Sequence, residues 1–429
     1  MLSTKTIPDA LSSKNAIAYF SQLYGDDPGV IETQIQRYQE LADTFCTEFP
    51  NQNVLDFFSA PGRSEVGGNH TDHNAGRILA AAVDLDIAAA AVPNNEGVIR
   101  MHSAGYPPDF IDLSDLSIRE TERFSSTAII RGVAARFKQL GYRLGGFDAA
   151  ATSSVPKGSG LSSSAAFEVL IGLILSHFYN NSDLDPVLLA KIGQYAENQY
   201  FGKPCGLMDQ TTSAVGGFVT IDFNDVENPI VQQVRFDFAA SGYALVIVDT
   251  RSDHADLNDE YTALENEMKA VANALGGKVL RDFSAQAVLE QMGALRSGVG
   301  DRAILRALHF YGDDQRVVEQ VWALEGNNFP QFLDLIIESG YSSWMYCQNV
   351  FAPNAVHKQE LAIALAASQS YLQGHGAWRV HGGGFAGTIQ AFVPQTMLAG
   401  YVEMMEKIFG EGACHLLRVR PVGGVKMPN

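Results

Sequence analysis

Cysteine is scarce in this chain. Cys46, Cys205, Cys347 and Cys414 lie far apart, without metal-ligand spacing or a disulfide-like framework, so a reducing compartment is expected. Basic residues are also few: 30 Lys and Arg against 48 Asp and Glu leave a net charge of −18. No Lys/Arg block or basic arm offsets that balance, which disfavours nucleic acid as a partner. Anionic small substrates stay open, because helix amides and a bound cation can hold a phosphate locally in an acidic protein. Long apolar runs are missing too. The N-terminus, MLSTKTIPDALSSKN, has no apolar signal core, and the most apolar run, Ile78 to Val92, is broken by Asp84 and Asp86. A soluble, cytoplasmic chain without a membrane partner is expected, as a monomer or weak homo-oligomer. Internal repeats, low-complexity tracts and coiled-coil heptads are absent.

What is present fits a globular protein. At 429 residues the chain is too long for one ordinary core, and 46% hydrophobic residues can fill two. The expected domains are 1–238 and 239–429, with the boundary before YALVIVDT (Tyr243 to Thr250), a buried-strand pattern.

Three glycine-rich segments stand out. The central one is SSVPKGSGLSSSAAFEVL, residues 153 to 170. Pro156, Gly158 and Gly160 discourage regular structure, while Ser162, Ser163 and Ser164 bring hydroxyls to a helix start, where unpaired amides favour an anion. Phosphate binding is the chemistry that uses this. Lys157 precedes the glycines and no GK[ST] triplet closes the loop, so it is not a Walker A motif. A Gly/Ser turn capping an ordinary helix is the plainer alternative.

The second segment, APGRSEVGGNHTDHNAGR, follows a short strand pattern from Val54 to Ser59. Its mixture of Arg63, Glu65, Asn69, His70, Asp72, His73 and Asn74 suits a polyol, whose adjacent hydroxyls each donate and accept. A metal site around His70, Asp72 and His73 lacks recognisable third and fourth ligands, and a plain polar turn is the other alternative. After it, Ile78 to Val92 reads as a strand with one face buried. The third segment, RVHGGGFAGTIQAFVP, is either a tight turn under a neighbouring helix or a loop facing phosphate.

Helical spacing marks Pro28 to Pro50, Ile130 to Leu140, Ser162 to Phe178, Leu184 to Tyr200, Tyr261 to Leu275 and Gln395 to Phe409, with a strand from His415 to Val422. Glu197 lies near the end of the fourth, and Asp209 lies twelve positions further on. From its local sequence Asp209 is either a structural cap or a functional base, and Glu197 reads as an exposed helix residue.

The motifs GRSEVGGNHTDHN, PKGSGLSSSA, CGLMDQ and HGGGFAG, in this order across most of the chain, resemble the galactokinase family of the GHMP sugar kinases. That resemblance implies an α+β fold of two domains: an N-terminal S5 domain 2-like α/β domain and a C-terminal ferredoxin-like α+β domain, with the active site in the cleft between them. It implies ATP and Mg2+ as co-substrate and cofactor, and a small-molecule sugar phosphorylated on its C1 hydroxyl. Position by position it makes Asp209 the proton acceptor and Arg63 the cation at the transferring phosphoryl group. Asn69, His70, Thr71, Asp72 and Tyr261 become sugar-binding positions. Gly158, Ser159, Gly160, Leu161, Ser162, Ser163 and Ser164 become the ATP loop, with Ser164 and Glu197 as magnesium ligands.

The chain departs from the family pattern in places. Galactokinases usually read GEHTDYN where this chain reads GNHTDHN, so a Glu that accepts a hydrogen bond from the hydroxymethyl end of galactose has become Asn69, and a Tyr has become His73. Glu65 stands where Asn is usual, and Leu264 with Glu265 where an Arg pair commonly follows the tyrosine. Because an amide removes a negative charge, galacturonate is an alternative substrate. A sugar-sensing regulator that binds without turnover is the alternative from another class.

Overall fold

A computed structural model describes residues 1–156, 160–252 and 257–428. Chain order begins with β1 (Leu2–Ser3), α1 (Ile7–Leu11), α2 (Lys14–Tyr24), α3 (Pro28–Glu48), β2 (Val54–Gly67), β3 (Arg77–Asn94), β4 (Val98–Ser103) and β5 (Asp109–Asp112). It continues through α4 (Ser126–Gln139), β6 (Gly146–Ser153), α5 (Ser163–Tyr179), α6 (Pro186–Tyr195), α7 (Met208–Val215), β7 (Phe218–Asp222) and β8 (Ile230–Val234). Then come β9 (Tyr243–Asp249), α8 (Asn258–Ala274), α9 (Ala285–Val299), α10 (Asp301–Glu325), α11 (Phe329–Ser342) and α12 (Glu360–Leu372). Last are β10 (Ala377–His381), β11 (Thr388–Pro394), α13 (Leu398–Phe409), β12 (Cys414–Leu417) and β13 (Val425–Lys426).

Two sheets organise these elements. The larger runs β1-β2-β3-β6-β4-β5, with β13 added to β2, β7 to β3 and β8 to β7; only β4 and β6 pair in parallel. The smaller runs β10-β11-β9-β12, antiparallel throughout. Among the described residues no helix is long and apolar enough to cross a membrane.

The strand β3 is buried on both faces, not one. Ala89 and Ala91 face the core built with α4, α5 and α6, whereas Ala88, Ala90 and Val92 pack against the N-terminal helices α1 to α3. Small side chains along β3 let both helical layers approach the sheet closely. The helix α3 starts where Asp27 accepts hydrogen bonds from Gly29 and Val30 N–H groups at 2.8 and 3.2 Å, a cap worth about 1 kcal/mol.

Several boundaries differ from the sequence reading. The strand β2 continues through Pro61 and Gly62 to Gly67, because register slips between Pro61 and Arg63 and between Glu65 and Gly67 absorb the irregular residues as bulges. The helix expected over Leu184 to Tyr200 begins at Pro186, capped by Asp185, and widens after Tyr195 into a π-helical turn over Ala196–Phe201. The last long strand is Cys414–Leu417, shorter than expected, since residues 418–424 leave the smaller sheet and cross to the larger one.

The two sheets share a core. Phe218 of β7 stacks edge-on against Phe332 of α11 at 6.4 Å, and Phe332 against Phe392 of β11 at 5.3 Å. An alternating ionic ring ties the larger sheet to α10: Arg77 and Arg281 each pair with both Asp222 and Asp314, at 2.7 to 3.0 Å.

Candidate active site

The second half of β2 carries the site. A Cβ on Gly62 would lie 2.7 Å from the Leu161 carbonyl oxygen, so glycine there lets the strand pass directly under the serine loop. The next residue donates its backbone N–H to that same carbonyl at 3.0 Å. Its side chain, Arg63, donates through Nη1 to the Gly160 carbonyl. Strand and loop are thus pinned together. Gly158 and Ser159, expected in the same loop, lie outside the described residues.

Arg63 then reaches Asp209 in the first turn of α7. Nε meets Oδ1 at 2.7 Å and Nη2 meets Oδ2 at 2.7 Å, and the Ser162 hydroxyl donates to Oδ2. Burial acts to raise the carboxyl pKa, but the Arg63 guanidinium, its hydrogen bonds and that of Ser162 outweigh burial, leaving Asp209 below the usual carboxylate range. A carboxylate accepts about four hydrogen bonds. Three are taken among the described residues, which leaves Oδ1 able to accept one more.

Ser163 and Ser164 of the α5 start line a cavity of about 500 Å³, whose other walls include Tyr106, Phe124, Ile129 and Phe167. Its mostly apolar lining and serine edge suit a flat heteroaromatic group joined to polar phosphates. Leu161 is fully buried, and Ser162 opens the helix in the left-handed region at φ 60°.

Ser164 donates to Glu197 Oε1 at 3.3 Å, so these two expected partners meet. Glu197 is buried, contrary to its reading as an exposed helix residue, because the π-helical turn rotates it inward against α5. One turn beyond Ser164 on α5 is Glu168, which sequence reasoning missed. Gln210 donates to both acids, at 2.9 Å each, and among the described residues buried Glu168 Oε1 has no hydrogen-bond partner. Burial first, and the charge of Glu197 second, push the Glu168 carboxyl well above its ordinary pKa.

The residues of the second glycine-rich segment pack against α10 and the loop between β10 and β11. Gly68, at φ 82°, turns the chain out of β2, and Asn69 donates its N–H to buried Asp313 of α10 at 2.8 Å. Asn69 also accepts at its carbonyl from His309 Nε2 at 2.8 Å. Thr71 is fully buried, its hydroxyl donating to the Gly68 carbonyl at 2.8 Å, so it braces the loop. His70 Nε2 donates to the Gly383 carbonyl at 2.8 Å, and the Tyr261 hydroxyl donates to Gly384 at 2.9 Å. Asp72 stays half-buried, 3.3 Å from where a Cβ on Gly206 would lie. The triple glycine therefore approaches the second glycine-rich segment and α8: a Cβ on Gly383 would lie 2.5 Å from the Tyr261 ring. The tight-turn reading fits this packing. Among the described residues no group of three or more His, Cys, Asp or Glu is arranged to hold a metal, including the His70, Asp72 and His73 set.

Sequence and fold comparisons identify the family. Residues 128–217 match the family model of the GHMP kinases N terminal domain, and residues 43–93 match the galactokinase galactose-binding signature. The fold is that of the GHMP kinases. A Lactococcus lactis galactokinase solved with galactose superposes with a TM-score of 0.75 at 23% identity, covering 91% of this chain and 99% of that one. The Methanococcus jannaschii mevalonate kinase gives 0.60 at 16% identity, covering 85% and 98%. A galactokinase of Streptomyces coelicolor is 32% identical over 370 residues, which span 84% of this chain and 90% of the relative. The chain belongs to the galactokinase family, a group of ATP-dependent sugar kinases.

Proposed function

We propose that this protein transfers the γ-phosphoryl group of ATP to the C1 hydroxyl of galactose, giving α-D-galactose 1-phosphate and ADP. The observation that carries the reading is the two-pronged contact between Arg63 and Asp209 beneath the serine start of α5. Phosphoryl transfer is catalysed mainly by alignment and charge stabilisation, and an ionised acid beside a fixed guanidinium supplies both at one point.

In this reading the lone pair left on Asp209 Oδ1 accepts the proton of the C1 hydroxyl as its oxygen attacks phosphorus. The bond from phosphorus to the β,γ-bridging oxygen breaks, and ADP leaves with that electron pair. Arg63 faces the phosphoryl oxygens while holding Asp209 ionised. His70, Asp72 and Tyr261 are read as sugar-facing positions, and Ser162, Ser163 and Ser164 as phosphate-facing ones.

Mg2+ fits the residues present. Ser164 and Glu197 offer a hydroxyl and a carboxylate side by side, and the unpartnered buried oxygen of Glu168 marks a place where negative charge is undercompensated. Two protein ligands suffice for a hard cation that keeps waters and nucleotide oxygens. When bound, the ion supplies positive charge against the phosphates. We also read residues 1–238 and 239–429 as the two domains, with residues 418–428 returning to the first.

The test is ADP release over a panel of aldoses, uronates and N-acetyl sugars. Turnover of galactose supports the reading. Strong turnover of galacturonate with none of galactose overturns the substrate, and binding of ATP and sugar without ADP release overturns catalysis in favour of a regulator.

A further inference from the structure

Asn69 has no hydrogen-bonding capacity left for a ligand. A side-chain amide offers two donors and an oxygen with two lone pairs. Here Nδ2 donates to Glu65 Oε1 at 3.0 Å and to the Gly382 carbonyl at 2.7 Å. Its Oδ1 accepts from Asn349 Nδ2 at 2.9 Å and from the Ser343 hydroxyl at 3.4 Å. The residue is 1% exposed. A sugar hydroxyl could bond to it only by displacing one of these partners.

Glu65 is placed differently. Its Oε1 receives Asn69 and, at 2.8 Å, Arg379 Nη2. Its Oε2 has no hydrogen-bond partner among the described residues, and the side chain keeps 11% exposure. Arg379 is fully buried and spends its other nitrogens on the Val66 and Val380 carbonyls, so it fixes the acid from one side only.

The strand register decides which way Glu65 looks. Arg63, Ser64 and Glu65 pair in unbroken succession with Ala82, Ala81 and Ala80. Successive strand residues alternate faces, so Arg63 and Glu65 share one face, ~7 Å apart along the strand. Ser64 occupies the other, buried against His381 and Gln390. The face that presents Arg63 to Asp209 therefore also presents Glu65, about one hexose further along.

We propose that Glu65 is a specificity-determining residue of the sugar site. Its unpartnered carboxylate oxygen accepts the hydroxyl at the end of the hexose remote from C1, the hydroxymethyl end, and Asn69 serves as its holder. This rests on the galactose reading and deepens it. Glu65 and Asn69 touch, so the acid and its holder form one contact pair and the site carries a negative charge there. A uronate would set its own carboxylate against Glu65, which selects neutral hexoses with a 6-hydroxyl and excludes galacturonate.

The test compares galactose, 6-deoxygalactose and galacturonate in the parent enzyme and in Glu65→Gln. In the parent, removing the 6-hydroxyl should lower kcat/KM roughly 10- to 100-fold, the value of a hydrogen bond to a charged group. In Glu65→Gln that ratio should shrink, with the galactose KM rising and kcat changing far less, and galacturonate should become a better substrate. A merely structural Glu65 would lower Tm and leave the ratio between sugars where it was, which would overturn the proposal. If Glu65→Gln fails to fold, the parent decides: equal use of galactose and 6-deoxygalactose overturns it, and a strong preference for galactose supports it. No ADP release from galactose in the parent would instead overturn the kinase reading on which the proposal rests.

Discussion

Arg63 and Asp209 meet edge to edge, with both carboxylate oxygens held at 2.7 Å by two nitrogens of one guanidinium. Only a planar fork can do this, so lysine is not an equivalent. Arg63→Lys is expected to lower kcat about 100-fold, with ATP still bound, as measured by steady-state ADP release and by nucleotide titration.

Asp209→Ala removes the proposed proton acceptor and leaves the serine loop in place. The expected fall in kcat is roughly 10²- to 10⁴-fold with nucleotide affinity nearly unchanged. Parent-like turnover in this variant would take Asp209 out of the mechanism.

The same pair sets a pH expectation. Arg63 and Ser162 hold the Asp209 pKa below the usual carboxylate value despite burial, so the acid is ionised throughout the neutral range. Its contribution to stability and to catalysis is present above the ordinary value of about 4 and is lost only as pH falls through the lower folded value. A kcat profile that lost activity between pH 7 and pH 6 through this residue would contradict the assignment; Asp209→Asn, lacking the group, identifies which limb belongs to it.

Stability, in contrast, should respond to mild acid. Burial pushes the imidazole of His381 down to about 3 and that of His309 down to about 4. Both lie below the unfolded value of about 6.5, so on acidification the unfolded chain binds protons first. Their neutral forms favour the fold fully above about pH 6.5, and this is lost progressively as pH falls toward 4. At pH 5 the loss is roughly 2 kcal/mol per histidine, measurable by urea unfolding at pH 5 and pH 7.5.

Gly62→Ala tests the close pass of β2 under the serine loop. The added Cβ would meet the Leu161 carbonyl at 2.7 Å, so backbone must shift. A stability loss of about 1–3 kcal/mol is expected, together with lower kcat, because the displaced segments carry Arg63 and Ser162. Unfolding and turnover measured on one preparation check both.

The glycine loops and the serine helix start were legible in the sequence because each is a local break in pattern, whereas Asp209 stood open between cap and base, and Glu197, locally an exposed helix residue, is buried. Pro61 and Gly62 misled for the same reason: they look like a loop, and only the partner strand β3 converts them to a bulge. What no local pattern reveals is convergence. Glu168 looks like one polar residue in an apolar helix until Gln210 and Glu197 close on it. The saturation of Asn69 depends on Ser343, Asn349 and Gly382, more than 270 positions away in the chain.

The strand that bears Arg63 receives a neighbour from Val425 and Lys426, and Arg420, fully buried, donates to Ser59 at 2.6 Å. During synthesis, β2 therefore gains this edge partner only after residues 420–426 have left the ribosome. Nascent protein should stay protease-sensitive around β2 until that late moment, and an affinity handle fused directly after the final strand would compete with that pairing.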